Sequence, residues 1–430
     1  MNIQNCQAAF GKADITSRAM QTAMERWKKL YYQQNATDQT DPCQRIAYTL
    51  VSKLRRAVFA EYAATAADPV VARWLGQLDG CRDTAMEMAM SGGECYIKPH
   101  PDGMGFSYTL IPRSNLLIFE RDRSGMPTDV GSMEQIRRDN QYYTLLERRW
   151  VQNGMLYIEN KLFRSGSRER LGQQVKLAVC PEYAELPEKW RYPVASLGLV
   201  RLRTPTANCV DGSGDGVAIF APAVQLIERV DANEAQLSGE FSRGQSRVFV
   251  SRDLLDGDKE LTENIFVGLD EDPETVGITA FAPALREQSF LARKQEYLRN
   301  IESVVGLKRG MLSEVNESMR TATEITASQA DYNLTVMELQ SMWQRAAEET
   351  VRLCRELAVI YGLPAGENMA VTFDWGNGVL FDEEKVWADY LAMADRGLIA
   401  PEVALGWRFG MAAQTEAERA MIRRKYMPAE

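Results

Sequence analysis

The sequence predicts an α+β chain in which sheets and long helices are segregated along the polypeptide. Three observations carry that prediction. Apolar residues recur at helical steps through residues 1–90, and the period then shortens to that of strands as far as Leu202. Between Ala221 and Gly362, two helix-patterned stretches bracket a small acidic β-like module. A polar Gly-containing loop follows, and then an unusually long helix begins at Thr321.

The elements follow in order. Arg18 to Tyr32 and Cys43 to Tyr62 read as helices, the second on Ile46, Leu50, Leu54 and Val58. A third helix is predicted over Val70 to Met90, stopped by Ser91-Gly92-Gly93. Cys95 to Lys98, Phe106 to Leu110 and Leu116 to Phe119 read as strands, with turns at Asp102-Gly103 and Pro112-Arg113-Ser114. His100, the one histidine, is placed in the first of these turns as a solvated residue. Tyr142 to Trp150 and Met155 to Phe163 form a hairpin about Asn153-Gly154, a pair suited to two positive φ angles. Leu199 to Leu202 adds a strand, and the α+β domain ends near Asn208.

Gly212-Ser213-Gly214-Asp215-Gly216 is spaced GxGxG rather than GxGxxG, and no Lys-Ser/Thr pair follows it. A phosphate loop is therefore a poor fit, and flexible glycines ahead of a rigid helix suit the pattern better. Pro222 opens that helix, which keeps Phe220, Val224, Ile227, Leu237 and Phe241 on one face and ends at Gly244. Ser246 to Val250, Ile265 to Val267 and Gly277 to Ala280 read as short strands. Between Arg252 and Glu274 nine acids face two bases, among them Asp253, Asp256, Asp258, Asp270 and Asp272. Such a run is most simply a solvated acidic hairpin, and no metal site is assigned to it.

Pro283 opens a second rod in which Leu291, Leu298 and Val305 recur every seven residues. This is the seam of a helix lying along another, a pattern that an ordinary amphipathic core helix shares. Gly306 ends it, and residues 307–320 follow neither period. Thr321-Ala322-Thr323-Glu324 is a capping box for a helix running to Tyr361, about 60 Å at 1.5 Å per residue. A strand over Met369 to Phe373, two short helices (Glu383 to Asp395 and Pro401 to Phe409) and an amphipathic helix from Thr415 to Tyr426 complete the chain.

Composition narrows the function. The seven cysteines are scattered and never form CxxC, which reads as reduced thiols filling cores. One histidine and no clustered cysteines give little support to zinc or His-based catalysis, and no hydrolase, zinc-protease, Walker or EF-hand spacing occurs. No enzyme activity and no cofactor are expected. No apolar run reaches membrane-spanning length, and the N-terminal residues do not resemble a signal peptide. A net charge of −9 argues against tight DNA binding, yet it suits a wall past which DNA must slide. Long rods joined by an acidic tip suit a subunit that packs beside copies of itself around a channel.

These segments, in this order, resemble the portal proteins of tailed bacteriophages, closest to the branch of long-tailed phages of Gram-positive hosts. Ala89-Met90-Ser91-Gly92-Gly93-Glu94-Cys95-Tyr96-Ile97-Lys98-Pro99 is similar to that family's small-residue helix end, glycine pair and following strand. Tyr142 to Glu147 and Tyr157 to Phe163 resemble its paired wing strands, and Pro205 to Ala221 the entry to its first stem helix. Glu240-Phe241 and Arg247 to Val250 resemble the descent into its clip. Thr321 to Ile325 resembles the start of its spine helix.

The resemblance implies a ring-forming portal fold. Its parts would be a wing (residues 1–216), a first stem helix (217–245), a clip (246–282), a second stem helix (283–306), a tunnel loop (307–320), a spine helix (321–362) and a small C-terminal crown (363–430). It further implies a homo-oligomeric ring of about a dozen copies at one capsid vertex, closed through head-to-tail interfaces. That ring would nucleate head assembly with scaffold and major capsid protein. It would dock the large terminase and later a head-completion adaptor, and conduct double-stranded DNA in packaging and ejection. Lys308, Arg309, Ser313 and Arg320 would lie on or beside the DNA-facing loop, and the acidic clip residues on the docking surface. The expected location is the virion's portal vertex, reached from the host cytoplasm. Another head-tail connector or minor capsid protein is the alternative.

Overall fold

The computed structural model describes residues 2–32, 42–244, 247–250, 265–267, 278–281, 286–314, 322–376 and 383–427. The chain divides into two compact units, Met1–Arg55 with Ala66–Ala370, and Arg56–Thr65 with Val371–Glu430. No helix among the described residues is long and apolar enough to cross a membrane.

The larger unit opens with a 3-10 helix, Ile3–Phe10, and the helices α1 (Arg18–Tyr32) and α2 (Ile46–Val58). α1 matches the expected span. α2 is shorter than the expected Cys43 to Tyr62, and the chain beyond it turns into a short strand, β1 (Ala63–Ala66). The single helix expected over Val70 to Met90 is two, α3 (Pro69–Asp79) and α4 (Arg82–Gly92). Asp68 caps α3, its carboxylate accepting from Val70 N and Val71 N with Pro69 in the first turn. Cys81, at φ −110° and ψ 1°, breaks the path between the two helices.

Two sheets follow. Strands β2 (Glu94–Asp102), β3 (Gly105–Pro112) and β10 (Val200–Arg203) form an antiparallel sheet in the order β10-β2-β3. His100 lies within β2 opposite Ser107, not in the turn, and is half-buried. Burial, with Lys98 beside it, lowers its pKa from the ordinary imidazole value. The second sheet runs β4 (Leu116–Arg121), β5 (Pro127–Arg138), β6 (Gln141–Gln152), β7 (Met155–Ser165) and β8 (Gln173–Val175), and β9 (Lys189–Tyr192) also pairs with β7. The β6–β7 turn is the expected one, with Asn153 at φ 52° and Gly154 at φ 72°.

Ile3, Cys6 and Phe10 pack on one face of this sheet against Leu117, Phe119, Leu146 and Phe163. Tyr96, Ile111, Leu116, Ile118 and Val130 join the two sheets in a second core.

Helix α5 (Val224–Arg243) and helix α6 (Glu287–Val305) pack as an antiparallel pair. Asn233 Nδ2 donates to Phe290 O at 3.1 Å, Glu234 pairs with Lys294 at 3.0 Å, and Glu240 pairs with Arg286 at 2.7 Å. From the Glu234–Lys294 pair to the Glu240–Arg286 pair the partner number falls as the α5 number rises. Beyond the pair lie three short strands, β11 (Arg247–Val250), β12 (Ile265–Val267) and β13 (Ile278–Phe281), ordered β12-β11-β13. β11 is parallel to β12 and antiparallel to β13.

The seven-residue seam is only partly buried. Leu298 and Val305 are 5% and 8% exposed, whereas Leu291 is 39% exposed. Phe241, expected on the buried face of α5, is also exposed.

Helix α7 (Ala322–Tyr361) is the long helix expected, and Thr321 lies outside the described residues. Tyr332, Val336, Leu339, Trp343, Ala347, Val351, Cys354 and Leu357 bury one stripe along it. That stripe packs on α3, β2 and β10. Tyr108 fixes the crossing, donating to Trp74 O at 3.0 Å while its hydroxyl lies 3.5 Å from Cys354 Sγ.

In the smaller unit β1 pairs with β14 (Val371–Asp374), and Trp375 packs against Phe59 and Tyr62. Helices α8 (Glu383–Asp395), α9 (Pro401–Arg408) and α10 (Glu416–Tyr426) follow, close to the expected spans. Trp407 stacks on Trp387 and Tyr390, and Ile422 is fully buried. Thr415 and Glu418 close a capping box at the start of α10.

Candidate functional site

The loop that leaves α6 is the one for which the resemblance implies a DNA-facing position. Gly306 caps the helix in the left-handed region, at φ 72°, and Leu307 is buried just after it. The chain then turns back so that its own amides meet Glu302, one turn up the helix. Glu302 Oε1 accepts from Leu312 N at 2.6 Å, Ser313 N at 2.9 Å and Gly310 N at 3.1 Å, and Oε2 accepts from Ser313 Oγ at 2.7 Å. The carboxylate is fully buried. Successive backbone N–H groups aimed at one oxyanion form a nest, here occupied by the chain's own side chain. Lys53 Nζ donates to Met311 O, and Gln295 Oε1 accepts from Glu314 N at 2.8 Å.

Lys308 and Arg309 sit at the apex between the buried Leu307 and the nest, Lys308 half-buried and Arg309 exposed. Ser313 lies on this loop, 6% exposed, with its hydroxyl donating to Glu302. Arg320 lies outside the described residues, as do Asp253, Asp256, Asp258, Asp270 and Asp272.

A second constellation, missed from sequence, joins the sheets to the segment entering α5. Glu94 at the start of β2 is fully buried, accepting from Tyr96 Oη at 2.7 Å, from Gly216 N at 2.5 Å and from Arg201 Nη2. Arg113 lies beside it, its Nε 3.9 Å from Glu94 and its Nη2 3.5 Å from Asp215. Arg121 reaches the same Asp215 oxygen at 2.5 Å. Burial pushes the Glu94 pKa up, but Arg201, Arg113 and the Gly216 N–H outweigh it and hold the carboxyl below its ordinary value.

This changes the account of the glycine-rich segment. A Cβ at Gly216 would stand 2.3 Å from Gly93 O, so the glycine permits two backbones to touch. Asp215 is buried beneath the two arginines, and Thr204 Oγ1 bridges Gly93 O and Val217 O. The segment is pinned, not flexible.

A third charged set holds the two sheets together. Glu147 on β6 accepts from Lys98 Nζ at 3.1 Å and Arg149 Nε at 2.7 Å, both nearly buried. Burial raises its pKa, and the two cations overcome that and bring it to about 2. The Lys98–Glu147 pair borders a polar cleft of about 1180 Å³ between β3, β5 and β6, also lined by Lys28, Glu134 and Arg137. Among the described residues no group of three or more His, Cys, Asp or Glu side chains is arranged to hold a metal ion. Cys6, Cys95, Cys180 and Cys354 are buried free thiols, whereas Cys209 is exposed.

The family profile described as "Phage portal protein, SPP1 Gp6-like" matches residues 132–423, more than half of the chain. A solved structure described as "Neck of native GTA particle computed with C12 symmetry" aligns over 99% of both chains at 11% identity and a TM-score of 0.44. No curated protein matches the chain.

Proposed function

This chain belongs to the SPP1 Gp6-like family of phage portal proteins, and from that premise we propose that it is the DNA-conducting ring subunit of one capsid vertex. The observation that carries the proposal is the family match, which runs from β5 through both stem-like helices and α7 to α10. In this reading about a dozen copies close a ring through two different, complementary faces. The part is structural, not enzymatic. Its ring nucleates head assembly with scaffold and major capsid protein, docks the large terminase and then a head-completion adaptor, and passes double-stranded DNA.

The rods suit such a ring. The α5–α6 pair is a hydrogen-bonded, ion-paired strut. α7 buries a stripe along most of its described length, which seats that long helix on α3, β2 and β10. Lys308 and Arg309 on their short loop give a thin cationic collar that can steady a duplex with few counterions released, while the chain's net charge of −9 discourages adhesion elsewhere. The acidic stretch between Arg252 and Glu274 is the surface proposed for terminase and adaptor.

Light scattering with negative-stain microscopy tests the reading. Rings with a central hole and a mass of many 48.5 kDa chains are expected. A single-chain mass, both alone and when co-produced with scaffold and major capsid protein, would overturn it.

A further inference from the structure

We infer that Glu302 is the positioning residue of the DNA-facing turn, holding Lys308 and Arg309 at a fixed place and height. The inference rests on the proposal that this turn meets DNA. Its grounds are geometric. The chain from Gly306 to Glu314 has no helix or sheet ladder of its own to order it. Left alone, so short a polar segment would sample many conformations, since ordering a chain costs conformational entropy. Here three backbone N–H groups and one hydroxyl converge on a single buried carboxylate. Charge-assisted bonds of this kind are about twice as strong as neutral ones. Leu307, buried, anchors the near end of the turn, and Ser313, also buried, anchors the far end. The apex, Lys308 to Gly310, lies between these two anchors.

The arrangement also couples the apex to the rod. Glu302 stands on α6 between Ile301 and Val305, both buried, so its backbone cannot shift without moving the helix. The height of the cations is therefore set by α6 and not by the loop. A ring of such turns presents its charges at one level, which is what steadying a sliding duplex requires.

Two variants separate this from a merely structural role. All three N–H bonds fall on one oxygen, Oε1, and the hydroxyl bond falls on the other. Glu302→Gln keeps an acceptor for the amides, and its NH2 can donate to Ser313 Oγ. Glu302→Ala keeps neither. Hydrogen exchange on assembled rings reads the clamp, and formaldehyde cross-linking of Lys308 to DNA in filled particles, mapped by mass spectrometry, reads the placement.

Glu302→Ala is expected to speed exchange at Gly310, Leu312 and Ser313 about tenfold or more. It should also abolish the Lys308–DNA cross-link, and Glu302→Gln should restore both. If Glu302→Ala does not assemble, Ser313→Ala, which removes one of the four donors, is expected to move both readouts in the same direction to a smaller extent.

Faster exchange with an undiminished cross-link would overturn the positioning role while leaving the DNA-facing proposal intact. The DNA-facing proposal itself falls if wild-type particles give no Lys308 cross-link and a Lys308→Ala/Arg309→Ala double variant retains its DNA normally through a rise in salt. In that case the positioning role falls with it, whatever the exchange rates show.

Discussion

Gly306→Ala tests the junction between α6 and α7 in a way that can be worked through in advance. At φ 72° the residue lies where an L side chain is strained, by about 1–2 kcal/mol. The new Cβ would also stand 2.4 Å from Thr335 Oγ1 on α7, although 3.7 Å from Thr335 Cβ. That hydroxyl donates to Gly306 O at 3.1 Å, or alternatively to Asp331 O at 3.0 Å. It must rotate away, which forfeits the interhelical bond, worth about 1 kcal/mol net. The single variant should therefore cost about 2–3 kcal/mol, and Thr335→Ala alone about 1 kcal/mol. Together they should cost no more than Gly306→Ala does, because the clash and the hydrogen bond disappear as a unit. The coupling energy is then about 1 kcal/mol. Urea unfolding followed by tryptophan fluorescence reads it, with Trp343 fully buried on the same helix. Strictly additive costs, or a Gly306→Ala cost below about 0.5 kcal/mol, would refute the contact.

Two further expectations concern the sheets and the C-terminal unit. Glu147 is held at about 2 in the folded protein, against an ordinary value of 4.5, so its contribution is complete above the unfolded value and fades as pH falls from about 4.5 towards 2. The difference is on the order of 3 kcal/mol, and Glu147→Gln should show a shallower loss of stability than wild type across that window; parallel curves would refute it. Thr415→Ala removes the cap from α10 and should cost about 1 kcal/mol, seen as faster amide exchange in the first turn of that helix; unchanged protection at Glu418, whose N–H the cap accepts, would count against it.

Much of the secondary structure was legible because its signals are local. α1, the Asn153-Gly154 hairpin, the Gly306 cap and the C-terminal helices each announce themselves within a few residues of sequence. Errors arose where tertiary packing decides. Gly80, the C-cap of α3, stands next to Cys81, but the helical period continues across both and masks the break. β5 has mixed burial and mostly polar residues in its second half, so it shows no clean alternation. The long strand β2 carries His100 past the point where a turn looked more natural.

The candidate site was legible only as a location. Lys308 and Arg309 could be placed on a loop, but the nest depends on Glu302, which reads from sequence as one more charge on an amphipathic helix. Only the fold shows that this acid is buried beside Ile301 and Val305. The Glu94–Arg201–Arg113–Asp215 set was invisible for a different reason. Its members come from separate strands and loops, and only the fold brings them together.

The buried stripe of α7 also governs the order in which this chain can mature on the ribosome. Its partners, α3, β2 and β10, are synthesised more than a hundred residues earlier. Until α7 has emerged, the parts of these elements on which it packs lack that cover. At about 5–20 residues per second, that interval lasts on the order of ten seconds or more. The first half of the protein therefore waits, partly uncovered, for its own distant continuation.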